Sequence, residues 1–146
     1  MATRSLPERR DDQPAFVLHA YPYKETSLIV EAFTRDHGRV GLVARGAKRP
    51  RSELRGLLQA FQPITVSYAG AGELKTLAKA EWCGGTPLLQ GRCLLLGYYL
   101  NELLLKLLPR EDAHPALFDS YAEAVTALAN GAADAPELRR FEKALL

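Results

Sequence analysis

Between Phe16 and Trp82 the apolar residues fall into short β-branched or aromatic runs, separated by turn residues at intervals that suit a small antiparallel barrel. Phe16 to Tyr21 reads as a first strand, Leu28 to Thr34 as a second and Arg39 to Ala44 as a third. Arg35, Asp36, His37 and Gly38 make a tight hairpin between the last two, with Gly38 free to take positive φ. Pro63 to Tyr68 and Glu73 to Glu81 form another pair across Ala69, Gly70, Ala71 and Gly72. Gly46 to Gln62 leaves room for a loop and one short helix around Ser52 to Leu58. Five strands with an insertion between the third and fourth match the OB architecture, a partly open barrel that commonly binds oligonucleotides.

After Trp82 the period changes. Thr86 is placed to cap a helix, Pro87 to open it, and Leu88 to Leu108 runs uninterrupted to Pro109. The stretch is leucine-rich and long enough for a membrane span, but Arg92, Asn101, Glu102 and Lys106 lie inside it, which favours a buried helix. Gly91 and Gly97 cost helix propensity and suggest close packing against a neighbour. Leu117, Tyr121, Val125 and Leu128 mark a second helix over Ala113 to Leu128, ended by Asn130 and Gly131. Pro136 opens a third, with Leu138, Phe141, Leu145 and Leu146 on one face and no stop signal, as expected of a fragment whose parent continues. The expected fold class is therefore α+β, an N-terminal five-stranded OB-fold barrel followed by an α-helical bundle region. Residues 1–15 are expected to be a flexible tail, 16–82 the barrel and 83–146 an incomplete helical domain.

A hydrophobic content of 47% in 146 residues is enough to bury a core. The first fifteen residues lack the apolar run of a signal peptide, so the default compartment is the cytoplasm. The net charge of +2 is uninformative until it is divided. Residues 1–82 carry 13 Lys and Arg against 9 Asp and Glu, whereas residues 83–146 carry 6 against 8. Residues 35–55 concentrate the excess, with Arg35, Arg39, Arg45, Lys48, Arg49, Arg51 and Arg55 against Asp36 and Glu53, a field of the kind that attracts phosphate.

Catalytic readings fail one by one. Gly41, Gly46 and Lys48 imitate a phosphate loop, but Ala47 stands where its lysine belongs and Pro50 blocks the helix that must follow. His19, His37 and His114 are scattered and read as lacking acidic partners nearby. Asp11 and Asp12 sit in the expected tail, where nothing holds them in register. Cys83 and Cys93 lack the close pairing of a zinc site and read as two isolated buried thiols. No enzyme activity, cofactor or metal is expected.

The loop from Arg45 to Ser52 is the most informative segment. Its four cations, with Arg35 and Arg39 at a neighbouring hairpin, form a track that could follow a sugar-phosphate backbone. Tyr21 and Tyr23, and also Phe61 and Tyr68, could offer stacking faces, although core packing competes for every aromatic ring. The composition equally admits an OB-fold RNA-binding factor, or a pure protein-interaction module whose loop takes an acidic partner.

Ala15 to His19, Glu25 to Leu28, Gly38 to Val40, Ala44 to Ala47, Gly72 to Leu77, Tyr99 to Leu103 and Leu138 to Glu142 form an ordered series that resembles the RecO family of bacterial DNA repair and recombination mediators. The likeness spans nearly all of the chain after residue 14. It implies an OB domain and a helical bundle that bind single- and double-stranded DNA and anneal complementary strands. It also implies RecR and single-strand-binding protein as partners, with RecA loaded indirectly, and no membrane. The family's DNA contacts carry over as a basic face placed on Arg39, Arg45, Lys48, Arg49 and Arg51, with Arg35, Arg55 and Lys75 beside it. Single-strand-binding proteins end in an acidic tail with an apolar terminus, so the resemblance implies a docking groove rimmed by cations such as Arg139 or Arg140. Some family members hold zinc through cysteines that Cys83 and Cys93 do not match.

Overall fold

The computed structural model describes residues 8–146. Five strands, β1 (Glu8–Tyr23), β2 (Ser27–Thr34), β3 (Gly38–Ala44), β4 (Ile64–Gly70) and β5 (Leu74–Trp82), close into a barrel in the order β1-β2-β3-β5-β4. The short helix α1 (Leu54–Leu57) fills the connection between β3 and β4. Three longer helices follow, α2 (Gly91–Leu107), α3 (Pro115–Ala129) and α4 (Pro136–Leu145). The OB-type architecture and the helices after it are those expected from the pattern of short runs.

Strand alternation divides the apolar residues between two cores. Ala15 and Val17 on β1, Val30 and Ala32 on β2, and Val40 and Leu42 on β3 point into the barrel and meet Ile64, Val66 and Leu77. The intervening Phe16, Leu18 and Phe33 point outward and meet Leu100, Leu104, Phe118, Tyr121 and Phe141. Phe16 packs edge-on against Tyr121 at 5.1 Å and Phe33 edge-on against Phe118 at 5.3 Å. Burying a ring such as Phe33, which has no exposed surface, is worth about 1.5–3 kcal/mol. One buried polar chain crosses this second core: the Tyr121 hydroxyl donates to Asn101 Oδ1, and Asn101 Nδ2 donates to Leu18 O at 3.3 Å. Burial pushes the Tyr121 hydroxyl well above its ordinary pKa.

The hairpin at Arg35 to Gly38 forms as expected, with Gly38 at φ +70°. Thr34 fastens it, its hydroxyl donating to Gly38 O at 2.8 Å and accepting from the His37 N–H at 3.1 Å.

Several expectations change. Residues 1–7 of the expected tail lie outside the described residues, but Glu8 to Ala15 are not a tail: they pair with β4 from Glu8 opposite Gly70 to Ala15 opposite Ile64, closing the barrel. Helix α2 starts at Gly91, not at Pro87. Gln62 holds Thr86 instead, donating from Nε2 to Thr86 O and accepting the Thr86 N–H at Oε1, so residues 83–90 run to α2 as an irregular, largely exposed segment anchored by the buried Leu89. Gly97 is closely packed, since a Cβ there would stand 2.8 Å from Phe61 and Leu89, whereas Gly91 has open space and a φ of +54°. Cys93 is buried as expected, but Cys83, just past the end of β5, is exposed. Among the described residues no helix is long and apolar enough to cross a membrane.

Candidate nucleic-acid interface

The cations of the basic half separate into two groups. Arg39, near the start of β3, donates from Nε to Leu108 O at 2.8 Å and from Nη1 to Glu31 Oε2 at 3.0 Å. Glu31 is buried at 6% exposure and its other oxygen accepts from Arg110, so two guanidiniums neutralise one buried carboxylate where the barrel meets the end of α2. The bond to Glu31 also raises the pKa of Arg110. Lys75 is buried, donating to Gly72 O and standing 3.2 Å from Glu111. Arg35 forms a two-pronged pair with Asp119 of α3, both bonds 3.1 Å long. That pair raises the Arg35 pKa and lowers that of Asp119. Three of the eight expected DNA contacts therefore join the barrel to the end of α2, to α3 or to the connection between them.

The other five are not so engaged. Arg45, Arg49, Arg51 and Arg55 are exposed, Lys48 is half-buried, and none makes an ion pair among the described residues. The loop that carries Arg45 to Arg51 is held firmly. Ala47 is buried in the barrel core, the Lys48 N–H donates to Thr26 O at 2.9 Å, and the Arg49 N–H donates to Gly46 O at 3.0 Å. These bonds tie the loop to the β1–β2 turn and bring it against Tyr23 and Lys24. The two elements enclose a cleft of about 440 Å³ lined by Tyr23, Lys24, Thr26, Arg45, Arg49 and Thr76, among others. Lys24 is a member that sequence reasoning missed. Its ammonium lies 5.2 Å from the Tyr23 ring centre, a cation–π contact, and the only local sign of it is its position beside a tyrosine.

The candidate stacking residues divide in the same manner. Phe61 and Tyr68 are 4% and 3% exposed and belong to the two cores, which removes them from the interface; burial pushes the Tyr68 hydroxyl up to about 12. Tyr21, at 39% exposure, stacks on His19 with ring centres 5.8 Å apart on the outer face of β1. His114, read above as lacking an acidic partner, has Nε2 3.0 Å from Asp112 Oδ2 at an exposed position.

The helices carry a second feature. A groove between α2 and α4 is lined by Arg92, Leu96, Tyr99, Leu138, Arg139 and Glu142, with a volume of about 440 Å³. Arg139 faces it without an ion pair among the described residues, whereas Arg140 lies on another side and pairs with Glu137 at 3.5 Å and Glu123 at 4.0 Å. The expected docking pair is thus split between two surfaces.

These features define a class: an OB-type barrel fused through a shared core to a helical bundle, with uncompensated positive charge gathered at one barrel end. The chain belongs to the Recombination protein O family, whose N-terminal model matches residues 10–86 and whose C-terminal model matches residues 90–146. It is 63% identical over 142 residues to a DNA repair protein RecO of Aromatoleum aromaticum, which covers 97% of this chain and 59% of that protein. The protein of the same name from Dechloromonas aromatica is 61% identical over 145 residues, covering 97% and 60%. That from Azoarcus sp. is 58% identical over 142 residues, covering 97% and 58%. The chain thus spans somewhat more than half the length of these relatives.

Proposed function

We propose that this chain is the DNA-binding part of a repair and recombination mediator, without catalytic machinery of its own. One observation carries the reading. Among the described residues up to Trp82, every cation without an acidic partner (Lys24, Arg45, Lys48, Arg49, Arg51 and Arg55) lies in the β1–β2 turn or in the segment from β3 through α1. Such a concentration holds phosphate without reading sequence. Tyr21 and Tyr23 beside it offer rings on which unpaired bases stack. Neutralising phosphates on two strands at once lowers their mutual repulsion and lets base pairing drive annealing, with no nucleotide hydrolysis. The relatives' name places them in DNA repair, and family resemblance adds RecR, single-strand-binding protein and, through them, RecA as partners. The α2–α4 groove, with its apolar lining and Arg139, suits the acidic, apolar-ended tail of single-strand-binding protein.

The test is binding and annealing by the wild type and by a variant with Lys48→Glu, Arg49→Glu and Arg51→Glu. The variant is expected to melt normally, to lose annealing, and to bind single strands with a salt slope shallower by roughly two, at about 0.7 per phosphate contact. Unchanged binding and annealing by the well-folded variant would remove the loop from the interface.

A further inference from the structure

We propose that the cleft between the β1–β2 turn and the loop after β3 is a subsite for a strand end, taking a terminal phosphate in preference to an internal phosphodiester. The inference rests on the DNA-binding reading above and deepens it.

The cleft is walled. Tyr23, Lys24 and Thr26 form one side, Arg45, Gly46 and Arg49 the other, and Ser27, Val43 and Thr76 on adjacent strands are the floor. Its inner end is stopped. Two residues back from Val43 along β3, on the same outward face, lies Gly41, and a Cβ there would stand 2.9 Å from Leu74 Cδ2 and 3.0 Å from the Arg110 guanidinium. Those two side chains cover the outer face of β3 beyond Val43, so a chain cannot run on along the strand from the cleft. A strand end placed in the cleft meets no such obstruction.

The chemistry selects among ends. Lys24, Arg45 and Arg49 surround the space and have no acidic partner among the described residues, while Thr26, Ser27 and Thr76 bring three hydroxyls. A terminal phosphomonoester carries about −1.5 to −2 charges near neutral pH, against −1 for a diester, and offers one more oxygen to donors. The site is also prepared in advance. The Arg49 side chain lies over Gly46, its Cδ 3.7 Å from where a Cβ would be, and the Lys48 N–H bond to Thr26 O fixes the spacing of the walls. At about 440 Å³ the cleft falls within the range of small-ligand sites, roughly 300–1,000 Å³, so one terminal nucleotide has room.

The experiment measures affinity of the whole chain for one oligonucleotide in four forms: 5′-phosphorylated, 3′-phosphorylated, unphosphorylated and ligated into a circle. One of the phosphorylated ends is expected to bind about tenfold more tightly than the unphosphorylated and circular forms, the lower range for a charge-assisted hydrogen bond. Arg49→Ala should abolish that preference. Arg51→Ala, outside the cleft, should weaken all four forms alike and keep the preference. Equal affinity for all four forms, with binding still weakened and its salt slope still shallower in the triple Glu variant, overturns the end subsite and leaves the DNA interface standing. Absence of DNA binding in the wild type overturns both. A preference that survives Arg49→Ala places end recognition elsewhere and overturns the assignment to this cleft. Competition by a free deoxynucleoside monophosphate as effective as that of the phosphorylated oligonucleotide would show a mononucleotide site, and so overturn the strand-end reading.

Discussion

Arg35, Arg39 and Lys75, and against them Arg45, Lys48, Arg49, Arg51 and Arg55, all belong to the basic half of the chain, yet they stand in opposite circumstances. The first group is engaged by partners within the molecule. Arg39 and Lys75 lie where the α2–α3 connection crosses the barrel, and Arg35 reaches to α3. The second group sits on a loop whose backbone is fixed but whose side chains have no acid to meet. Local charge density in a sequence counts both groups equally, whereas only the second has a field left over for a ligand. The contrast predicts that the first group governs stability and the second governs binding.

The largest effect should come from Arg39. Its removal leaves the buried Glu31 with Arg110 alone and leaves Leu108 O without its donor. Arg39→Ala is expected to lower the unfolding free energy by about 3 kcal/mol, the cost of breaking a buried pair from one side. Arg49→Ala should change it by no more than about 0.5 kcal/mol. Urea denaturation of both variants checks this, and similar losses for the two would erase the division.

The polar chain in the second core supplies a smaller effect of the same kind. Tyr121→Phe removes the Tyr121 hydroxyl that donates to the buried Asn101 Oδ1, at an expected cost of about 2 kcal/mol with the fold retained. Thermal melting measures it, and a neutral result would mean that Asn101 finds another partner.

The barrel was legible because alternation and turn residues leave local traces. Val40 and Leu42 against Arg39 and Gly41, or the hairpin ending at Gly38, can be read from neighbours alone. What stayed hidden depends on distant partners. Glu8 to Pro14 have no hydrophobic period because their place in β1 is secured largely by main-chain pairing with β4, which any composition permits. Asp119 lies 84 residues from the Arg35 it neutralises, and Glu111 lies 36 residues from Lys75, so neither of these partners is visible from the cation's neighbourhood, where Arg35 has only the longer 3.5 Å pair with Asp36. Thr86 and Pro87 carry a helix-start signature, but Gln62 takes up the backbone of Thr86 first. The site was thus visible as a field and not as a list of free groups.

Arg139 and Arg140 repeat the contrast on one helix. Adjacent residues on α4 face different sides, and only Arg139 lines the α2–α4 groove. Titration of a labelled acidic peptide with an apolar terminus should show about tenfold weaker binding to Arg139→Glu than to wild type, equivalent to about 1.4 kcal/mol. Arg140→Glu should bind nearly as wild type. Equal losses would make the attraction a general field around α4 and not a groove contact.

The smallest expected effect is also the most direct measure of the opening contrast, because it compares two exposed arginines by the number of salt ions each releases on binding DNA. Arg51 has no acidic partner among the described residues, so a phosphate it contacts gains its charge without competition. Arg35 is open to solvent too, at 42% side-chain exposure, but two nitrogens of its guanidinium already hold Asp119. A phosphate could recruit Arg35 only by displacing that carboxylate, and the net number of ions released would then be close to zero. Arg51→Ala should therefore reduce the slope of log affinity against log salt by about 0.7 on single strands, whereas Arg35→Ala should leave it within error of wild type. Fluorescence anisotropy over a series of salt concentrations gives both slopes. A shallower slope for Arg35→Ala would show that DNA breaks the Arg35–Asp119 pair, and would make that link between barrel and α3 part of the binding event.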